Sequence, residues 1–410
     1  MNNHNYPNSY NCMKSIIFTM LALIAMTGRA QVKCHIEGEL RDTTQGKTVV
    51  ICPANVDIRV SDNFITAKAD AQGRFSCDVE TDRMRLYNVF LHEQWEHGSW
   101  RNRNFLVENS STVTLCFDDN TWKVVSGGPE QMLKVQMDAE GERLYVSKLN
   151  EIERQAEKEI RPRVEELQKQ GKNPEEDTLL MNRNREFMDE YNKLYGEYRA
   201  WEYDYYAAHP MQMQYALYDM AERMQYDGER YDEMKTRLMS VYHTVYENFH
   251  PENTIHNDIL TLEAAWHLKP GKPYIDFEAL TVGGERVKVS SLYRGKVAVI
   301  DFWASWCGPC RKHSKELIPL YEKYKGQGFT VVGIAREEEL SRMTRAAEKD
   351  GYPWVNLIDL KDELKVWQQN GLGHSGGGMY LIDRDGTILS TSTEADELEP
   401  LIRKAIGLQE

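Results

Sequence analysis

Gly295-Lys296-Val297-Ala298-Val299-Ile300-Asp301-Phe302-Trp303-Ala304-Ser305-Trp306-Cys307-Gly308-Pro309-Cys310-Arg311-Lys312-His313-Ser314-Lys315-Glu316-Leu317 is the stretch on which the reading of this chain turns. Its first nine residues leave a Gly-Lys turn and run apolar, as a buried strand does, and from Arg311 the pattern is helical. Cys307 is expected where the strand hands over to a helix N-terminus, with Cys310 one turn inside. The unpaired N–H groups and positive dipole end of a helix stabilise a thiolate more than a thiol. The spacing therefore points to Cys307 as a nucleophile of lowered pKa and Cys310 as the thiol that resolves a mixed disulfide. A purely structural bridge fits poorly, because so short a loop constrains little of the unfolded chain. Metal sites use the same spacing, but zinc wants a second ligand pair; Cys116 lies in another region and His313 stands alone. No metal or cofactor is expected.

The segment Asp301 to Cys310 resembles the active site of thioredoxins, and the wider stretch resembles the exported TlpA/ResA-like branch of that superfamily. Asp276-Phe277-Glu278-Ala279-Leu280, Gly283-Gly284 and Val287-Lys288-Val289-Ser290-Ser291-Leu292 read as a β-hairpin. Tyr321-Glu322-Lys323-Tyr324, the strand from Phe329 to Ile334, Tyr380-Leu381-Ile382-Asp383, the Asp385-Gly386 turn and Thr387-Ile388-Leu389 continue the match. It covers about residues 270 to 408 and implies an α/β thioredoxin-like C-terminal domain, a central mixed sheet flanked by helices. It also implies a thiol–disulfide oxidoreductase cycling through a Cys307–Cys310 disulfide. Asp301 matches the family's buried acid; desolvation in an apolar strand should raise its pKa and suit it to accept the proton of Cys310, unless it faces solvent at a strand edge. Trp303 and Trp306 are expected to wall the site, with Trp306, Gly308, Pro309 and Gly377 along the substrate groove and Pro309 fixing the helix start. His313, one turn on, is expected to face solvent.

Two departures stand out. The family's cis-proline, just before the strand Tyr380-Leu381-Ile382, is replaced here by Gly377 within Gly371-Leu372-Gly373-His374-Ser375-Gly376-Gly377-Gly378, which implies a differently shaped groove. A phosphate loop is excluded because no Lys-Ser/Thr follows the glycines, and His374 reads as a surface loop residue. The helix lacks the usual proline at Lys315, so a straighter helix is expected, bent or ended by Pro319.

At 410 residues the chain can hold two or three domains, and 28% charged with 41% hydrophobic residues is an ordinary globular composition. The net charge of −14 argues against nucleic acid or an anionic membrane as partner. Residues 1–30 read as a signal peptide, with Lys14 before the apolar run Ile16 to Met26 and Gly28-Arg29-Ala30 at the cleavage positions. A bacterial periplasmic or otherwise exported protein is expected, with no stable membrane span after cleavage. In such a compartment Cys34, Cys52, Cys77 and Cys116 either pair or stay as buried thiols.

Residues 31–128 read as a β-rich domain, a small sandwich or barrel, from short β-branched runs such as Thr48 to Cys52, Arg85 to Leu91 and Thr112 to Phe117. Trp95, His97, Trp100, Arg101 and Arg103 there read as a recognition surface or, more plainly, an ordinary loop. Residues 129–265 read as a packed helical region, with stripes Leu149-Ile152-Ala156-Ile160-Val164-Leu167 and Phe187-Tyr191-Leu194-Tyr198-Trp201 and a break or kink at Pro162. Lys269-Pro270-Gly271-Lys272-Pro273 reads as a linker into the 270–410 domain.

The leading expectation is a reductase of disulfides in exported proteins, Gly308-Pro309 being the dipeptide of reducing thioredoxins, supplied by a membrane thiol electron donor. The resemblance adds apocytochrome c to the candidate partners. An oxidase or isomerase of the same fold is open, since potential depends on thiolate stabilisation beyond the motif. So is a partner-binding protein whose redox domain is secondary. A peroxiredoxin is disfavoured, because Ser305-Trp306-Cys307 does not supply the Thr-x-x-Cys context of a peroxidatic cysteine.

Overall fold

The computed structural model describes residues 32–408 apart from 42–46, 55, 97–102, 211–212, 226–231 and 374. The signal-peptide reading of residues 1–30, the side chains of Trp95, His97, Trp100 and Arg101, and His374 lie outside the described residues. Arg103 is described, and its guanidinium is ion-paired with Asp138.

Alternation of apolar and polar residues builds a β-sandwich at the N-terminus. One sheet orders β4(Arg74–Thr81), β1(Val32–Leu40), β7(Ser111–Asp118) and β8(Thr121–Ser126); the other orders β3(Ile65–Lys68), β2(Thr48–Pro53), β5(Arg85–Leu91) and β6(Arg103–Val107). Ile36, Val113, Leu115 and Phe117 of the first sheet meet Val49, Ile51, Val89 and Phe105 of the second. β2 and β5 are apolar on both faces, and the reason lies behind the second sheet. Ala54, Leu86 and Leu106 pack there with Met137, Tyr203, Tyr206, Leu217 and Tyr242 of the helices. Sandwich and helical region thus share a core.

The helices include Ser147–Lys169 and Thr178–Ala208, packed against each other. Pro162 lies inside the first, which runs on without a break at the proline. Its surroundings are exposed, so the carbonyl it leaves without an N–H partner can meet water.

The C-terminal sheet has seven strands ordered β10(Arg286–Lys288), β9(Glu278–Leu280), β13(Val355–Leu360), β12(Phe329–Glu337), β11(Val297–Trp303), β14(Gly378–Ile382) and β15(Ile388–Ser390). β11 runs parallel to β12 and antiparallel to β14, so the sheet is mixed, as the sequence implied. All seven residues of β11 are buried. Val297 and Val299 face Leu317 and Leu320 of the helix Gly308–Tyr324 and Leu398 and Ile402 of the helix Ala395–Ala405. Ala298, Ile300 and Phe302 face Phe277, Trp367 and Tyr380 on the other side. At about 1.5–3 kcal/mol per large buried apolar side chain, burial on both faces anchors this strand firmly in the domain. Pro319 sits inside the 308–324 helix, which runs on past it to Tyr324.

The four N-terminal cysteines are free thiols, three of them buried and Cys77 half-buried. Cys34 and Cys77 are diagonal neighbours across β1 and β4 without being bonded. Burial pushes Cys52 up to about 12 and Cys77 up to about 11. A thiol titration of the oxidised chain from residue 32 should therefore give no fast-reacting thiol in the native state. It should give four on unfolding without reductant and six after reduction; fewer than four would reveal an unforeseen bridge.

Candidate active site

Beyond Trp303 the chain turns through Ala304, Ser305 and Trp306 into the 308–324 helix, whose N-cap is Cys307. Its Sγ accepts the Cys310 N–H at 3.3 Å, and Pro309 occupies the first turn. Cys307 and Cys310 are joined as a disulfide with Cα atoms 5.4 Å apart. Both are half-buried beside exposed Gly308 and Pro309, and Cys310 packs on the cluster of Trp303, Ala335 and Met343. Trp303 is wholly buried, its Nε1 donating to Asn356 Oδ1 at 3.0 Å.

Asp301 is 1% exposed, on an interior strand of the sheet and not at a solvent-facing edge. Burial pushes its carboxyl up to about 7, with the Ser314 hydroxyl acting weakly the other way. Ser314 commits its proton to the Cys310 carbonyl oxygen at 2.9 Å, and neither Asp301 oxygen has a hydrogen-bond partner among the described residues. An acid with no donor to stabilise its charge holds a proton near neutral pH.

The loop before Cys307 is fixed by residues the sequence reading missed. Glu337, at the end of β12 and fully buried, accepts the Ser305 backbone N–H and the Ser305 hydroxyl, the latter at 2.9 Å. Its burial raises its pKa while the two Ser305 donors pull it back. Arg311 grips Asp350 with two bonds of 2.7 and 2.9 Å and donates to the Ser305 carbonyl oxygen at 3.1 Å. The signal for Glu337 was present: an Arg336-Glu337 pair closing an apolar strand beside the strand that carries the cysteines.

Gly377 lies where the sequence register put it, over the pair. A Cβ there would stand 1.9 Å from the Phe302 carbonyl oxygen and 3.3 Å from Cys310 Sγ. At Gly376 a Cβ would stand 2.6 Å from Cys307 Sγ, so two successive glycines let bare backbone lie against both sulfurs. Trp306 is half-buried, with the Arg59 guanidinium 4.2 Å above its ring. His313 departs from expectation: its side chain is only 19% exposed, with Nδ1 3.5 Å from Glu316 and 3.6 Å from Glu394. Among the described residues these three form the one group whose ligand atoms could hold a metal ion, and neither cysteine belongs to it.

Residues 270–391 match the family model described as AhpC/TSA family. This part of the chain is a thioredoxin-superfamily domain of the TlpA/ResA type. Thiol-disulfide oxidoreductase ResA of Geobacillus kaustophilus is 27% identical over 152 residues, covering 37% of this chain and 78% of that protein. The ResA of Bacillus anthracis is 28% identical over 142 residues, 33% of this chain and 77% of the relative. A probable phospholipid hydroperoxide glutathione peroxidase of Arabidopsis thaliana is 27% identical over 161 residues, 33% and 69% of the two chains. Among solved structures, a putative thiol:disulfide interchange protein DsbE from Chlorobium tepidum is 29% identical, covering 34% of this chain and 99% of its own, with a TM-score of 0.30. The thioredoxin-like domain is that of a thiol–disulfide oxidoreductase.

Two outcomes follow from this geometry. Asp301, raised from 3.8 to about 7, keeps its proton in the folded protein where the unfolded chain has lost it. The group's penalty is absent below about pH 4, grows as pH rises and is complete above 7, where it is on the order of a few kcal/mol. Asp301→Asn should therefore flatten the fall in stability across that window in urea melts at stepped pH. Gly376→Ala should destabilise the oxidised form by about 1–3 kcal/mol through overpacking on Cys307, seen as a lower Tm.

Proposed function

We propose that this protein is an exported reductase of protein disulfides, acting by dithiol exchange at Cys307 and Cys310. The observation that carries the reading is the bonded pair at a helix N-terminus with Asp301 buried behind it. In the reduced enzyme the Cys307 thiolate attacks one sulfur of a substrate disulfide. That S–S bond breaks, a Cys307–substrate bond forms, and the departing substrate sulfur takes up a proton. Cys310 gives its proton toward Asp301 and attacks Cys307 Sγ, closing the Cys307–Cys310 bond and releasing the second substrate thiolate. Two electrons have passed to the substrate, and a membrane thiol donor returns them to the pair.

Trp306, Gly308, Pro309 and Gly377 border the disulfide, and the bare backbone at Gly376-Gly377 offers a surface along which an extended substrate segment can lie. The sequence features of residues 14–30 support export, and among the described residues no helix is long and apolar enough to cross a membrane. Substrates are exported proteins carrying a disulfide, apocytochrome c among the classes that the TlpA/ResA resemblance brings in.

The deciding measurement is the equilibrium potential of the pair in defined redox buffers. A value near about −270 mV supports a reductase, one near about −120 mV reverses the direction to oxidation, and a pair that never exchanges makes the protein a binder. Cys310→Ser should trap substrates on Cys307 as mixed disulfides, and also removing Cys307 should abolish that capture. A capture profile indifferent to Cys307 would sink the redox reading.

A further inference from the structure

Trp306 immediately precedes the nucleophile, yet the group over its ring comes from the N-terminal sandwich. Arg59, in the turn after β2, lies with its guanidinium 4.2 Å from the ring centre. Its aim is fixed by Asp57, whose Oδ1 accepts the Arg59 Nε at 2.8 Å and the Arg59 backbone N–H at 3.0 Å. Asp57 is buried and also faces Arg336 Nη1 at 3.1 Å. Arg336, equally buried, is paired with Asp362 as well. A second ion pair, Lys361–Asp62 at 2.9 Å, fastens the same segment.

Buried charges are retained in a junction only when paired with good geometry, since either one left alone would cost several kcal/mol. Asp57 faces Arg336 as an ion pair at 3.1 Å in which Arg336 Nη1 has no hydrogen-bond partner among the described residues, while Arg59 supplies the hydrogen bonds to the same carboxylate. The docking of residues 57–62 on the thioredoxin-like domain reaches the chemistry by two routes. Arg336 is the neighbour of Glu337, which holds Ser305, while Arg59 covers Trp306; the two residues before Cys307 are thus each held, one from β12 and one from the sandwich. The indole Nε1 of Trp306 has no hydrogen-bond partner among the described residues, so the stacked cation is the specific contact on that ring.

We propose that the N-terminal sandwich is a working part of the dithiol centre: Arg59 positions Trp306 beside Cys307 and presents positive charge to the thiolate, setting how readily Cys307 ionises. This rests on the reading of Cys307 and Cys310 as an exchanging pair. The run of ion pairs Arg59–Asp57–Arg336–Asp362 brings the Arg59 guanidinium over Trp306. The other charged groups around the pair are Arg311 with Asp350, Glu337 with Ser305, Asp301 buried on β11, and His313 beside Glu316 and Glu394; Arg59 shares its charge with Asp57. A nearby cation favours the thiolate, and stabilising the reduced form makes a pair more oxidising. Arg59 is therefore a positioning residue, acting through Trp306 and through its field.

The test uses the whole chain from residue 32, reduced, with Arg59→Met, Arg59→Lys and Arg59→Ala. Arg59 is partly exposed, but each change removes side-chain donors from buried Asp57, so a somewhat lowered Tm is expected and a cooperative melt well above the assay temperature shows that each variant folds. The readouts are the pH profile of Cys307 alkylation by iodoacetamide and the potential against glutathione buffers. Arg59→Met keeps a stem over the ring and drops the charge. It should slow alkylation at neutral pH threefold to tenfold and make the pair more reducing by roughly 15–30 mV, at about 30 mV per tenfold. Arg59→Lys should stay near wild type in the pH profile, whereas Arg59→Ala should shift both readouts and alter Trp306 fluorescence. If the wild-type pair exchanges and all three variants match it in profile and potential, the proposal is overturned while the oxidoreductase reading survives. A wild-type pair that never exchanges overturns both.

Discussion

The backbone of Ser305 is held from both sides, its N–H by the carboxylate of Glu337 and its carbonyl by the guanidinium of Arg311. Almost everything at the site depends on that grip. β11 and β12 run in parallel register with Trp303 opposite Ala335, so continuing two residues along each strand brings Ser305 level with Glu337. The strand pairing thus delivers the acceptor to the place where β11 has just stopped and the chain must turn. A buried carboxylate without donors would be strongly unfavourable, and here the turn itself supplies two. Once Ser305 is fixed, Cys307 can only fall at the N-cap, where its sulfur takes a helix N–H. The redox geometry is a by-product of satisfying one buried acid.

The same economy joins the three parts of the chain. The second sheet of the sandwich is apolar on both faces because Leu86 and Leu106 continue into the helical core. Ala265 and Leu268, at and just past the end of the last helix of that region, pack in turn with Phe277 and Ala298 of the C-terminal sheet. Contacts between successive regions are therefore apolar in the core and ionic at the Asp57–Arg336 junction. Apolar contact contributes most of the free energy, while the paired charges favour one relative placement over others.

What could be read from the sequence followed the range of the signals. The buried strand, the helix beginning at Gly308 and the raised acid at Asp301 are local: a run of apolar residues, a helix-start dipeptide, a lone carboxylate amid Val, Ile and Phe. Gly377 was placed by counting back from a recognisable strand, although nothing local revealed that a side chain at Gly376 would meet the Cys307 sulfur. Glu337 was missed for want of attention to a charged pair at a strand end. Arg59 was out of reach altogether, since a turn residue in a β region carries no periodicity and its partner lies in a different domain. No break followed at Pro162, because proline forbids a hydrogen bond but not a helix whose exposed side can leave one carbonyl to water. The fate of Cys34, Cys52, Cys77 and Cys116 was undecidable from spacing, because only the folded chain shows whether two sulfurs come within bonding distance.

Those four thiols bear on a hazard peculiar to this chemistry. An enzyme that trades disulfides is surrounded by oxidised sulfur, its own Cys307–Cys310 bond included, and any reactive thiol it carried would make it a target of its own reaction. Burial holds Cys77, the least covered of the four, up near 11, so its thiolate is scarce at pH 7. Burial raises Cys52 as well. The sandwich therefore keeps its sulfur chemically mute, and self-poisoning by scrambled bridges is suppressed without giving up cysteine as a small apolar filler of the core.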